Sequence, residues 1–211
     1  MFRSDTLFSR FMNVLFDVLL TGILWILCCI PVITIGASTT AAYYAMSKVV
    51  RHKTGYVHKE FFHSFRRNFK QSTQMGLLFL LFTGVVAVDI WYVWINDSKL
   101  NSALFMILLL IAFLILAVIT YYFPLLSRFD KRNLEMLKMS AIVAFRYLPL
   151  TLCILIVFVI SVIGIYLMPW AILVIPGVYL YLLSFPMEYV LRKLMPAVEE
   201  GSEEAEKWYY Q

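Results

Sequence analysis

The sequence predicts an all-α, polytopic membrane bundle of about six transmembrane helices in three hairpins, with five spans as the alternative. Three observations predict it. Hydrophobic residues make up 62% of the 211-residue chain and charged residues 15%, against about 45–50% and about 25% in ordinary soluble proteins. The apolar residues fall in unbroken runs about 20 residues long, the length a helix needs to cross hydrocarbon. Barrel strands would instead alternate polar and apolar over roughly 10 residues. The basic residues gather in the connections between alternate runs. A small soluble fold leaves much of its surface exposed and could not hide this apolar content. A disordered chain and a secreted disulfide scaffold are excluded on the same ground.

The spans are justified in chain order. Residues 11–30 form the first, too long for a secretion signal and preceded by Asp5 and interrupted by Asp17 where a signal would be basic or apolar. Pro31-Val32-Ile33-Thr34-Ile35-Gly36 then reads as a turn, since proline and glycine punctuate helices. Residues 37–50 are rich in Ala, Ser and Thr, the residues that let helices approach closely in a bilayer. They form either a short returning span or a helix against the inner surface. Runs at 75–95, 103–126, 148–168 and 170–191 complete the set. The transmembrane domain is thus residues 1–195. Residues 196–211 carry five acids in Glu199-Glu200-Gly201-Ser202-Glu203-Glu204-Ala205-Glu206 and read as an acidic cytoplasmic tail.

Charge gives the orientation. Lys48, Arg51, Lys53, Lys59, Arg66, Arg67 and Lys70 crowd one connection with a single acid, Glu60; five more basic residues lie between Arg128 and Arg146. The positive-inside rule places these connections in the cytoplasm. If residues 37–50 cross, every basic residue except Lys99 is cytoplasmic, and so are both termini. The net charge of +5 is therefore a topology signal. Because its basic residues border membrane spans, nucleic-acid binding is not expected.

Few residues suggest chemistry. His52, His58 and His63 share the first inner connection, but a spacing of five rotates the second of a pair by about 140° on a helix, so His58 and His63 cannot imitate H-E-x-x-H. Cys28, Cys29 and Cys153 lack metal or disulfide spacing. Asp17, Asp89 and Glu188 lie near the ends of spans and read as boundary carboxylates. No nucleotide, metal or nucleophile motif occurs, so the sequence predicts no enzyme, no cofactor and no metal site.

The segment 58–72 is the most informative. Phe61, Phe62, Phe65 and Phe69 recur at helical spacing, with Lys59, Arg66, Arg67 and Lys70 over much of the remainder. Such a helix lies in the interface against anionic lipid or docks its aromatic stripe on a partner. Phe61, Phe62, Phe65, Arg66, Arg67 and Phe69 are therefore the expected partner or lipid interface. Pro31, Thr34 and Gly36 are the expected turn and packing residues. Asp17 and Asp89, with Thr34, Thr39 and Thr40, would line a solute path if there is one.

An internal echo also appears. An aromatic–Arg entry at 64–69 and 144–149, a hairpin, and a Phe-Pro exit at Phe123-Pro124 and Phe185-Pro186 occur twice. They read either as a duplicated hairpin or as two hairpins with similar boundary chemistry.

Cys28-Cys29-Ile30-Pro31-Val32-Ile33-Thr34-Ile35-Gly36-Ala37, then Ala41-Ala42-Tyr43-Tyr44, then Phe61-Phe62-x-x-Phe65-Arg66-Arg67-Asn68-Phe69 resembles the YesL-like family of bacterial integral membrane proteins, a family of unknown function. The resemblance covers essentially the whole chain. It implies a multi-pass protein of the bacterial cytoplasmic membrane, mainly of Gram-positive bacteria, often encoded beside carbohydrate ABC importers and sensor-kinase pairs. It implies no catalytic residues. The expected function is a non-enzymatic accessory or permease-like component of carbohydrate uptake by ABC importers. The alternatives are a stand-alone small-solute carrier or channel, or a membrane partner of a sensor kinase. The expected partners are the lipid bilayer and importer subunits or a sensor kinase.

Overall fold

A computed structural model describes residues 7–95 and 99–195. The acidic tail and the residues before Leu7, Asp5 among them, lie outside the described residues. The chain folds as α1 (Leu7–Cys29), a 3-10 turn (Val32–Thr34), α2 (Ile35–Ala45), a π-helical turn (Met46–Arg51), α3 (Val57–Ile95), α4 (Lys99–Leu126), α5 (Asn133–Arg146), α6 (Leu148–Leu167), a 3-10 turn (Pro169–Leu173) and α7 (Ile175–Leu194). Among the described residues there is no strand. Four helices are long and apolar enough to cross a membrane: α1 through its Phe11–Cys29 portion, α3, α4 through Ala103–Leu126, and α6.

The centre of the bundle is α2. Ala37, Ala41, Ala42, Tyr43 and Ala45 are fully buried, and Ser38 and Thr40 with them. Its small side chains let α3 approach to backbone distance. A Cβ on Gly36 would overlap the carbonyl of Ser72, and one on Gly76 would sit 3.1 Å from the Gly36 Cα. Thr40 and Ser72 share a hydrogen bond of 3.1 Å, and Lys48 pairs with Glu60 at 2.7 Å. These contacts set α2 antiparallel to residues 60–76 of α3. Burying small polar groups in pairs is the packing chemistry expected where hydrocarbon supplies no hydrophobic drive between helices. A second close approach joins α1 to α7, where a Cβ on Gly22 would lie 3.0 Å from the Gly177 backbone nitrogen.

The turn before α2 is built as its sequence suggests. Pro31 precedes the 3-10 turn in extended conformation. The Thr34 hydroxyl is placed against the carbonyls of Cys28 at 2.5 Å and Pro31 at 2.6 Å, satisfying groups that the end of α1 leaves open.

Three sequence expectations change. The basic segment and the span after it are one helix of 39 residues, about 58 Å long against about 30 Å of hydrocarbon. An unbroken helix does not turn a right angle. Its basic half is therefore collinear with the span. The last run also starts later: Pro169–Leu173 is a 3-10 turn and α7 begins at Ile175, because the prolines at 169 and 176 suit first-turn positions. Finally, Pro124 lies in the last turn of α4, whereas Pro186 lies inside α7, which runs on to Leu194. The matching aromatic–Arg segments differ too: 64–69 is interior to α3, whereas Tyr147 breaks α5 from α6.

Candidate functional site

The most chemically loaded place in the fold is a buried charge cluster where α2, α4 and α7 meet. The π-helical turn that follows α2 contributes Ser47; such turns insert a residue and re-aim side chains, often at functional sites. Tyr43 comes from one turn earlier on α2. Arg128 follows the end of α4, where Ser127 and Arg128 continue its hydrogen bonding to Phe123 and Leu125. Glu188 comes from α7, two residues after Pro186. All four are buried, Arg128 at 8% exposure and Glu188 at 2%.

Glu188 organises the group. Its Oε1 pairs with an Arg128 guanidinium nitrogen and accepts from the Ser47 hydroxyl. The Tyr43 hydroxyl donates to the same oxygen at 3.2 Å. Arg128 also donates to Ser47 at 3.0 Å. The second oxygen, Oε2, faces His52 Nε2 at 3.8 Å. Beside the cluster, the Arg51 guanidinium lies over the Phe185 ring at 4.5 Å. A carboxylate out of water is tolerable only with a cation and several donors around it, and here both are supplied from sequence-distant segments. Losing either charge would strand the other.

His52 is the histidine of the group, and its side chain retains 15% exposure. Burial holds it below the usual histidine range; Glu188 opposes that shift, while Arg128, Arg192 and Arg51 add to it. Chemically, the arrangement is a clamp that ties α2, α4 and α7 together.

A cavity of about 380 Å³ adjoins the clamp, bounded by α1, α2, α4, α6 and α7, and Tyr43 belongs to both. Its lining is otherwise apolar except for hydroxyls on Thr39, Thr120, Ser161 and Tyr179.

The sequence-predicted residues are dispersed. Phe61 is fully buried, stacked on Phe65 at 6.2 Å and edge-on to Phe62 at 5.6 Å; it is a core residue and cannot meet an outside partner. The reason is that the buried face of α3 runs through Phe61, Ser64, Asn68, Ser72 and Met75, one helical repeat that takes only one of the phenylalanines inward. Phe62 and Phe69 are exposed, Phe65 is half-buried, and Arg66 and Arg67 are exposed, with Arg67 paired to Asp130. Phe62, Arg66 and Phe69 thus form the outward face. Of the residues expected to line a path, Thr39 reaches the cavity. Thr34 closes its turn and Thr40 is tied to Ser72. Asp17 is half-buried on α1 and Asp89 is exposed on α3, and neither lines the cavity.

Sequence reading alone passes over Arg128, Ser47 and Tyr43, takes Glu188 for a boundary carboxylate and assigns His52 no partner. A signal exists: Arg128 follows Pro124 by four and Glu188 follows Pro186 by two. Both charges therefore stand just beyond a proline that loosens the local helix. Residues 18–90 match the family described as "Protein of unknown function, DUF624", a segment that holds most of α1, all of α2 and most of α3, with Tyr43, Ser47 and His52 of the cluster. No curated protein and no solved structure matches the chain.

Proposed function

We propose that the chain is a non-enzymatic accessory component of a bacterial solute importer. On this reading it sits in the cytoplasmic membrane and docks its partner on the outward face of the basic half of α3. The observation that carries this reading is that half of α3. It is continuous with a spanning helix, held from behind by α2, and turns Phe62, Arg66 and Phe69 outward. A face that leaves the bilayer along the span axis suits a protein groove better than a lipid surface, since interfacial helices lie in the membrane plane. Aromatic and arginine side chains on a rigid support are the residue types that dominate interface energies.

Carbohydrate uptake by an ABC importer is the process that the family resemblance suggests, and a sensor kinase is the alternative partner. A stand-alone carrier has less support, because its polar path residues lie apart and the cavity walls are apolar. In the proposed topology α1, α3, α4, α6 and α7 cross, whereas α2, 11 residues long and packed along the basic half of α3, does not; the C-terminus is then cytoplasmic and the N-terminus external. Phe8→Cys, in a chain otherwise free of cysteine, then labels from outside; labelling only from the inside would replace this topology with six crossings.

Affinity purification from native membranes in mild detergent tests the function. Importer subunits are expected to co-purify with the unchanged protein and to be lost with Phe62→Asp and Phe69→Asp together. Recovery of a sensor kinase alone would move the assignment to signalling. Recovery of no membrane or cytoplasmic partner would overturn it.

A further inference from the structure

We propose that the cavity among α1, α2, α4, α6 and α7 holds one hydrocarbon chain of a bilayer phospholipid, inserted tail first from the membrane. Four observations lead there. The cavity measures about 380 Å³, within the size range of small-ligand sites, about 300–1,000 Å³. Three of its hydroxyls are already committed to carbonyls of their own helices: Thr39 to Ile35, Thr120 to Leu116 and Ser161 to Val157, each at 2.8 Å. A polar solute would find few partners, and apolar cavities stay dry and take apolar guests.

The shape is one-ended. Val162 and Ile172 at one end are 49% and 42% exposed, whereas Tyr43, Phe123 and Leu183 at the other are buried. Along α6 the lining runs from Leu155 to Ile165, about 15 Å of helix, or half the roughly 30 Å hydrocarbon thickness. That is the reach of one chain in one leaflet. The medium at the open end is also defined: the outward surface of α6 presents Ile156, Val159, Ile160 and Ile163, all exposed and apolar. At the closed end, the Tyr43 ring is pinned by its hydroxyl to Glu188 at 3.2 Å, so the clamp sets the depth to which a chain can enter.

The experiment is native mass spectrometry of the full chain released from phosphatidylglycerol nanodiscs. One phospholipid should stay bound per chain. Ser161→Phe and Thr120→Leu, which fill the cavity, should each lower retention at least tenfold, while Val159→Phe on the outward face should not. Loss of lipid with unchanged cooperative unfolding supports the site. No retained phospholipid in the unchanged protein, or equal retention in the filled variants, would overturn it. A chain that keeps only an isoprenoid lipid from native membranes, and takes no phosphatidylglycerol, would overturn it as well. Should the filled variants fold poorly, Trp25 reports instead in a chain with Trp91, Trp94, Trp170 and Trp208 changed to Phe. Phospholipid brominated on the acyl chain should quench it to a plateau near one lipid per chain. Quenching that merely rises with bulk lipid counts against the site.

Discussion

Two charged, aromatic places in this molecule have opposite architectures. The clamp turns inward: Arg128, Ser47 and Tyr43 converge on one carboxylate oxygen of Glu188 and join α2, α4 and α7. The α3 face turns outward: Phe62, Arg66 and Phe69 rest on a helix already secured from behind by the Gly36–Gly76 contact and the Thr40–Ser72 bond. The difference teaches a division of labour. Residue types that look alike in sequence hold the fold together in one place and remain available for binding in the other. Substitutions should therefore separate cleanly into those that cost stability and those that cost only a partner.

The largest effect belongs to the clamp. Glu188→Ala or Arg128→Ala leaves a buried charge without its counter-ion, and about 3–5 kcal/mol of stability should be lost. Thermal unfolding in detergent, or simple failure to accumulate in membranes, reads this out. A double replacement by apolar residues of similar volume should recover much of the loss, because no stranded charge remains. If either single variant were as stable as the parent, the clamp would not be structural.

Next comes the helix contact that supports the outward face. Gly36→Ala forces a methyl against the Ser72 carbonyl, and overpacking of this kind costs about 1–3 kcal/mol. Gly84, which has open space around it, is the matched control, and Gly84→Ala should be neutral or slightly stabilising in the interior of α3. Equal effects at the two positions would contradict the close approach of α2 and α3.

Acid should weaken the clamp through His52. Because the folded protein holds this imidazole below its usual range, the unfolded chain takes up a proton first as pH falls. The stability contribution is complete above about pH 6.5, declines below it, and levels off once the folded state also protonates. In His52→Gln that part of the pH dependence should vanish, as followed by unfolding temperature between pH 7.5 and 5.

The smallest effect on stability, and the largest on function, is expected at the outward face. Phe62→Asp should shift stability by no more than about 0.5 kcal/mol, as exposed substitutions do, while abolishing partner capture. A strongly destabilised Phe62→Asp would erase the distinction between the two regions.

Much of this architecture can be read in the sequence. Apolar runs mark four helices able to cross, and charge sorting marks the connections. The small-residue segment 37–50 announces close packing, which the fully buried α2 shows. Other parts are legible only with the right cue. Composition divides the chain near Ser72, yet no proline lies between Val57 and Ile95, so nothing there ends a helix and α3 runs through. Helical periodicity shows that Phe61, Phe62, Phe65 and Phe69 share one stripe, but it cannot say which member faces the neighbouring helix. The presence of Ser64, Asn68 and Ser72 on the inner face disguises it, because small polar groups pair across it where an apolar core would be expected. The clamp is the hardest to see. Glu188 lies 60 or more residues from each side chain bonded to it, and a single sequence carries no mark of which distant charges meet.

The account rests most heavily on the outward face of α3 being a protein-docking surface. Site-specific photo-crosslinking in native membranes measures this directly, with the reactive group placed at Phe62 and, as a lipid-facing comparison, at Leu81, which is 62% exposed on the same helix. The account predicts a discrete protein adduct containing an importer subunit from position 62 and only lipid adducts from position 81. Lipid adducts alone from position 62 would contradict it.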